Sequence, residues 1–227
     1  MFLIEVDGRP AGTMEFEVAN RRSRIAHVGG LAVHPEFRGR RLSDEAARML
    51  QRHLLLDLGF HRLQLEVYGF NERAMRHAER AGFVLEGVKR RAYRRHGEWV
   101  DGVMYGLLRE DILDSPALVR LYEYVARHNL GVRAGDWGPL EECFAEDAVL
   151  EFEGVPVGPF AGRAAIGAAY RERPPDDEVR ILGAEEEGAT VVARYAWSTA
   201  PERRAGRLLL TGEGEKIVRL VVTLEEG

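Results

Sequence analysis

In 34-HPEFRGRRLSDEAARML-50 three arginines, Arg38, Arg40 and Arg41, crowd around Gly39 just ahead of a run with helical spacing. A loop that feeds a helix N-terminus presents unpaired N–H donors and the positive end of the helix dipole, which is the chemistry of anion binding. The arginines add charge and forked donors where a diphosphate would sit. Gly39 is the loop's one glycine, whereas such loops usually hold several, because glycine tolerates positive φ and lets the backbone approach closely. Arg41 therefore decides the quality of the loop. With negative φ its side chain needs only a direction, and with positive φ it costs about 1 kcal/mol or more. If it fills the turn, only the outline of a phosphate site remains. Taken alone, the run reads better as a solvated basic turn before an ordinary helix, and its surroundings have to decide for the phosphate site.

Those surroundings are strands and helices in a regular order. FLIEV, AGTMEFEV and IAHVGGLAV read as strands parted by the turn-like DGRP and the polar NRRSR. A helix is expected from about Ser43 to Leu58, because Ala46, Ala47, Leu50, Leu54 and Leu58 recur at spacings of three and four. Ser43 suits its N-cap, Asp44 and Glu45 its positive end, and Gly59 its stop. LQLEVY then reads as a strand, NERAMRHAERAG as a short helix capped by Asn71 and closed by Gly82, and FVLEGVKRRAYRR with WVDGVMYGLL as a hairpin about HGE. The order β-β-β-α-β-α-β-β is an α/β arrangement on one mixed sheet.

A second domain is expected after 109-REDILDS-115, where Ser115 and Pro116 suit a helix start. A helix to about Val132, a short helix over PLEECFAE, a strand VLEFE and a helix over GRAAIGAAYRER precede four strands, VRILGA, TVVARYAWS, RLLLTG and IVRLVVTL. That sequence of elements makes an α+β domain. Charge supports the division: residues 1–112 hold 19 Arg/Lys against 16 Asp/Glu, and residues 113–227 hold 13 against 21. Neither half is basic enough to suggest nucleic acid. No apolar run reaches membrane-spanning length, and the opening MFLIEV is too short for a signal peptide. Cys143 is the single cysteine, so an intrachain disulfide is excluded and a reducing cytoplasm is expected. It reads as a small buried residue rather than a nucleophile. The seven histidines include no His-x-x-x-His pair, so no metal site is expected.

The segments 29-GGLAVHPEFRGRRLSDEAARML-50, 63-LQLEVYGFNERAMRHAERAGFVLEG-87 and 98-EWVDGVMYGLL-108 together resemble the GNAT acetyltransferase family, in particular its ribosomal-protein-acetyltransferase-like branch. The resemblance spans residues 1–112 and implies acetyl-CoA as co-substrate. It assigns the pyrophosphate to Arg38, Gly39, Arg40, Arg41, Leu42 and Ser43, and the pantetheine arm to the strand Leu31, Ala32 and Val33. Asn71 is implied to touch the same arm in addition to capping its helix. Many relatives carry a tyrosine seven residues after this asparagine to reprotonate the CoA thiolate. Here that position is Ala78, and the adjacent His77 should project about 100° away on a helix. A base must take a proton from the acceptor ammonium, and Glu66 is the first candidate, with His27 and Glu15 behind it. Alternation puts Gln64, Glu66 and Tyr68 on one side of their strand and Leu63, Leu65 and Val67 on the other. The family also has a strand and two helices before the strand matched by FLIEV. Either the start is truncated or another surface, such as a partner subunit, completes the acceptor site. The run 89-KRRAYRRHG-97 reads as the solvated face of a hairpin.

Residues 116–227, on the text 135-GDWGPLEECFAEDAVLEFEGVPVGPFAGRAAIGAAY-170, resemble the SnoaL-like, NTF2-like cone fold. Trp137, Phe152, Phe160, Tyr170 and Trp197 are lining candidates for an apolar pocket or plain core, and His128 matches no catalytic role of that group. The expectation is an acetyl-CoA-dependent N-acetyltransferase acting on a primary amine, of a protein N-terminus or a small molecule. Its second domain would bind a small apolar ligand or support a homodimer. The alternatives are a non-catalytic CoA-binding sensor, or cyclase or isomerase chemistry in the cone.

Overall fold

The structure, a computed structural model, describes residues 1–225. The chain divides after Ile112 into two compact units, each built on a six-stranded sheet.

The first unit runs β1 (Phe2–Val6), β2 (Arg9–Asn20), β3 (Ile25–Val33), α1 (Leu42–Arg52), β4 (Arg62–Tyr68), α2 (Glu72–Arg80), β5 (Val84–Arg95) and β6 (Glu98–Leu108). Its sheet has the order β1-β2-β3-β4-β6-β5, and β3 and β4 are its parallel pair. Asp7-Gly8 and His96-Gly97 each hold both residues at positive φ, the geometry that lets a two-residue turn follow strand twist. Ala26, Val28, Leu63, Val67 and Leu107 supply the sheet's side of the core, and Ala47, Leu50 and Ala78 the helices' side.

The first helix departs from expectation at both ends. Its N-cap is Arg41, in left-handed conformation at φ 57° and ψ 16° and without a side-chain cap bond, while Ser43 lies inside the first turn. At the other end the α-helix stops at Arg52 and a π-helical turn, His53–Asp57, carries the chain to the positive-φ Gly59. The wider turn lets Leu54, Leu55 and Leu56 all reach the core, which three consecutive residues in an α-helix do poorly. A 3₁₀ turn, Pro35–Phe37, also interrupts what the sequence suggested was plain loop.

The second unit runs α3 (Pro116–Ala134), α4 (Gly138–Glu141), β7 (Phe144–Glu153), β8 (Phe160–Ala161), α5 (Arg163–Glu172), β9 (Val179–Glu187), β10 (Thr190–Trp197), β11 (Arg204–Glu213) and β12 (Lys216–Leu224). Its sheet has the order β8-β7-β12-β11-β10-β9. Ser115 caps α3, accepting from the N–H of Ala117 at 3.0 Å, with Pro116 in the first turn. The helix expected over PLEECFAE ends at Glu141, because Phe144, Ala148 and Leu150 are inward-facing strand residues, each at most 1% exposed. Trp137 and Tyr170 stack at 5.2 Å within this core, and Phe152, Phe160 and Trp197 pack against it partly buried.

Candidate functional site

β3 and β4 pair over three residues only, Ile25–Arg62, Ala26–Leu63 and His27–Gln64. Beyond His27 the two strands part, and β3 is hydrogen-bonded to β2 alone. The parting begins at Gly29-Gly30. Gly30 has φ 62°, the register with β2 slips between Thr13 and Glu15, and a Cβ on Gly30 would stand 2.7 Å from the Glu15 side chain. Only glycine fits such a bulge, and the bulge turns the strand away from its neighbour. The result is an open strand edge over Leu31, Ala32 and Val33 whose backbone groups can take an extended ligand as an additional strand.

A cavity of about 200 Å³ fills the gap beneath this edge. Leu50 of α1, Leu31 of β3 and Leu63 and Val67 of β4 line it, together with Ala74, His77 and Ala78 of α2 and Ala81 at its C-cap. Those last four recur at three and four, so they form one helix face. His77 therefore shares the cavity with Ala78, although a 100° step separates them. Its Nδ1 lies 2.9 Å from Asp44 Oδ1 in the first turn of α1. Glu66 is among the lining residues too, and alternation puts its side chain on the opposite face of β4 from Leu63 and Val67.

The arginine loop joins the end of β3 to the start of α1. Gly39 and Arg41 take positive φ, 82° and 57°. The N–H of Arg38 is used by Pro35 O at 3.2 Å, and the Arg41 carbonyl accepts from Asp44 N at 3.0 Å and Glu45 N at 3.2 Å. The N–H groups of residues 39 to 43 find no backbone acceptor among the described residues. Arg41 thus has the costly φ, yet its side chain is exposed and does not fill the turn. Alternating left-handed residues ahead of a helix make a concave nest of N–H donors, the geometry that holds phosphate. Arg38 does not point freely: its Nε donates to Val33 O at 3.1 Å and ties the loop to the strand it leaves. Arg40 lies 5.6 Å over the Phe37 ring. Leu42 and Ser43 are half-buried at the first turn. Asn71 is exposed and caps α2, its Oδ1 accepting from Ala74 N at 3.1 Å.

Glu66 is not a lone carboxylate. Lys89 Nζ donates to one oxygen and the Tyr93 hydroxyl to the other. Burial works to raise its pKa, but those two hydrogen bonds and the charges of Lys89 and His27 outweigh it, so the carboxyl lies below its ordinary value. The bond to Glu66, with burial behind it, pushes Tyr93 up to about 12. Gly102 makes room for the pair, since a Cβ there would sit 2.7 Å from the Tyr93 ring. Tyr93 reaches this place through a bulge: Lys89 pairs with Gly102 but Tyr93 pairs with Val100, so β5 holds two residues more than β6 over that interval. Arg91 in the bulge has φ 50°, and its N–H donates to Asp101 Oδ1 at 2.7 Å. The run 89-KRRAYRRHG-97 is therefore more than a solvated hairpin face, and the bulge that makes it so is invisible to strand alternation. His27 stands near enough to Glu66 to lower its pKa, and Glu15 packs at the Gly30 bulge.

The second unit assembles no comparable site among its described residues. His128 is 3% exposed, its Nδ1 is 3.1 Å from Asn129 Oδ1, and burial holds its pKa below the usual histidine value. Asn129 meanwhile clamps α3 to β9 through both the N–H and the carbonyl of Val179, at 2.8 Å each. Burial pushes the Cys143 thiol up to about 12, which makes it a packing residue. Among the described residues no cluster of three His, Cys, Asp or Glu side chains is placed to hold a metal, and no helix is long and apolar enough to cross a membrane.

Residues 1–83 match the model of the acetyltransferase (GNAT) family, and residues 123–222 that of the SnoaL-like domain. The chain thus carries a stretch similar to GNAT acetyltransferases followed by one similar to SnoaL-like domains. It is 29% identical over 109 residues to a SPbeta prophage-derived uncharacterized N-acetyltransferase of Bacillus subtilis, covering 48% of this chain and 60% of that protein. It is 26% identical over 112 residues to the spermidine N(1)-acetyltransferase of Escherichia coli, covering 49% and 60%. The chain thus spans about 60% of the length of the curated relatives it matches. A solved probable acetyltransferase is 28% identical at a TM-score of 0.43, with 46% of this chain and 59% of that one covered. GNAT acetyltransferases use acetyl-CoA, and the split sheet, the open edge of β3 and the N–H nest are the parts of the first unit suited to an extended arm ending in a diphosphate.

Proposed function

We propose that the chain is an acetyl-CoA-dependent N-acetyltransferase acting on a primary amine. One observation carries the reading: β3 parts from β4 over a cavity that Leu31 lines, and its end leads through the N–H nest of residues 39–43 into α1, whose Ala47 and Leu50 line the same cavity. The backbone nest holds the diphosphate within the positive field of the loop's arginines, Leu31, Ala32 and Val33 pair with the arm, and the cavity takes the thioester end. Asn71, besides capping α2, faces the arm. Glu66 receives the acceptor's proton through water and holds its ammonium beforehand. His77, steadied by Asp44, delivers a proton to the departing thiolate, in place of a hydroxyl at Ala78. Acyl transfer of this kind depends mainly on alignment, which the groove supplies.

A cationic acceptor fits the acidic Glu66 face, and the curated relatives include a spermidine N(1)-acetyltransferase. The second domain is assigned a ligand-binding or dimerising role. A second copy of the chain fits the exposed edge strand β5, where Val84, Leu85 and Val88 lie open to solvent. Calorimetry with acetyl-CoA, followed by a CoA-release screen over small amines and N-terminal peptides, tests the activity. Saturable binding and turnover lost in Asn71→Ala are expected. No binding at millimolar acetyl-CoA overturns the proposal, and binding without turnover of any amine leaves a CoA sensor in its place.

A further inference from the structure

Thirty of the 32 basic side chains of this protein are arginines, and only Lys89 and Lys216 are lysines. Lys89 stands at the one place where an amine matters. Its Nζ donates to the carboxylate of Glu66, a residue that borders the cavity, and it does so from a strand bulged so that Tyr93 takes the carboxylate's other oxygen. Glu66 is 14% exposed and Lys89 46% exposed, so the amine enters from solvent and meets the carboxylate at the cavity wall. An ammonium hydrogen-bonded to the carboxylate that would receive an acceptor's proton occupies the acceptor's own position. Arginine would serve a purely structural ion pair at least as well, being always charged and bidentate. Lysine differs from it in being able to lose a proton and act as a nucleophile.

We propose that Lys89 is a self-acetylation site of this chain. The inference rests on the acetyltransferase reading above. The Lys89 ammonium first gives one proton to solvent; the neutral Nζ then attacks the thioester carbonyl, the N–C bond forms, the C–S bond breaks, and CoA leaves as thiolate. The proton shed by Nζ passes through water at Glu66 to solvent, and the thiolate takes up one proton, so the products are acetyl-Lys89 and CoA. The amide formed carries no charge, so Glu66 loses its resident cation and is left open to the ammonium of an external amine.

Lys216 gives an internal reference. It lies in the second unit, where its Nζ donates to Glu142 O at 2.6 Å, and its acetylation is the background against which Lys89 is read. The full chain is incubated with acetyl-CoA, and peptide mass spectrometry follows both lysines with time at several protein concentrations. Binding of acetyl-CoA is measured on the same preparation. Lys89 is expected to acetylate at least about ten-fold faster than Lys216, since a held nucleophile gains effective concentration. Its rate per chain should not change with protein concentration, and excess CoA should suppress it. Glu66→Gln should slow Lys89 and leave Lys216 unchanged, and CoA suppression reads the same dependence should that variant not fold. Equal rates at the two lysines, indifference to CoA, or a rate that rises with protein concentration would each overturn the proposal. Binding of acetyl-CoA without acetylation of Lys89 defeats self-acetylation alone. Failure to bind defeats the acetyltransferase reading with it.

Discussion

His77 Nδ1 lies 2.9 Å from Asp44 Oδ1, so a cavity-facing side chain of α2 is fastened to the first turn of α1. The two helices that wall the groove are thereby joined across it, and the imidazole's orientation is set by a carboxylate that also sits 3.7 Å from Arg80. Asp44 serves both ends of this arrangement, since a carboxylate in the first turn suits the positive end of α1.

His77→Gln is expected to lower kcat by about 10²-fold while leaving acetyl-CoA affinity near its original value, the usual scale for losing a positioned acid. A purely structural histidine would lose stability and affinity together. The decisive measurement replaces the acetyl donor with a thioester of a more acidic thiol, whose leaving group needs no proton. With that donor the variant and the parent should react at similar rates. An undiminished gap between them would remove His77 from the proton path.

Much of this groove was legible before the fold was known, and the exceptions have physical causes. The strand–loop–helix order, Asn71 as cap and Gly82 as stop follow from periodicity and capping chemistry, which are local. Glu66 was legible as a strand residue facing away from Leu63 and Val67. Its partners Lys89 and Tyr93 were not, because their placement depends on a two-residue bulge that no alternation pattern records. His77 was set aside on a single angular step from Ala78, whereas a cavity-facing stripe of a helix is wide enough to hold both. The left-handed Arg41 and the π-helical turn after Arg52 escaped for a similar reason. The π-helical turn follows from burying Leu54, Leu55 and Leu56 together, and the left-handed Arg41 runs against the preference of its residue type.

Tyr93→Phe should move the acid limb of the kcat/KM profile to higher pH. The Tyr93 hydroxyl is one of the bonds that hold the Glu66 carboxyl below its ordinary value, so removing it raises that pKa. Activity needs the ionised form and is lost as pH falls through it. The same sign governs stability: a carboxylate depressed in the folded state stabilises above its unfolded pKa of about 4.3, and that contribution disappears as pH falls through the folded value. Acid titration of unfolding should show Tyr93→Phe losing its Glu66-dependent stability at higher pH than the parent. Coincident profiles for the two proteins would mean that the bond does not form in solution.

Gly102→Ala should unfold at lower denaturant concentration by about 1–3 kcal/mol, the usual range for overpacking. The new methyl would stand 2.7 Å from the Tyr93 ring, which has β5 behind it and cannot retreat freely. Combining it with Tyr93→Ala should recover part of the loss, because the small side chain vacates the space. Additive losses in the double variant would show that the ring is not what the methyl meets.

Arg41→Gly separates the cost of the loop from its function. A non-glycine residue at φ 57° costs roughly 1–2 kcal/mol, and glycine removes that strain while making the unfolded chain more flexible. The two effects oppose each other, and strain is the larger, so a net gain of about 0.5–1 kcal/mol is expected from chemical denaturation. Affinity for acetyl-CoA separates the two roles of the same residue. If the backbone N–H nest holds the diphosphate, the variant keeps its affinity within about three-fold at moderate salt, because screening leaves little to a single exposed charge. If the Arg41 guanidinium itself grips phosphate, affinity falls by ten-fold or more, the scale of one charge-assisted bond at about 1.5–3 kcal/mol. Calorimetry at two salt concentrations reads the difference, and the first outcome is expected, since the Arg41 side chain is exposed while the N–H groups of residues 39 to 43 have no backbone acceptor among the described residues.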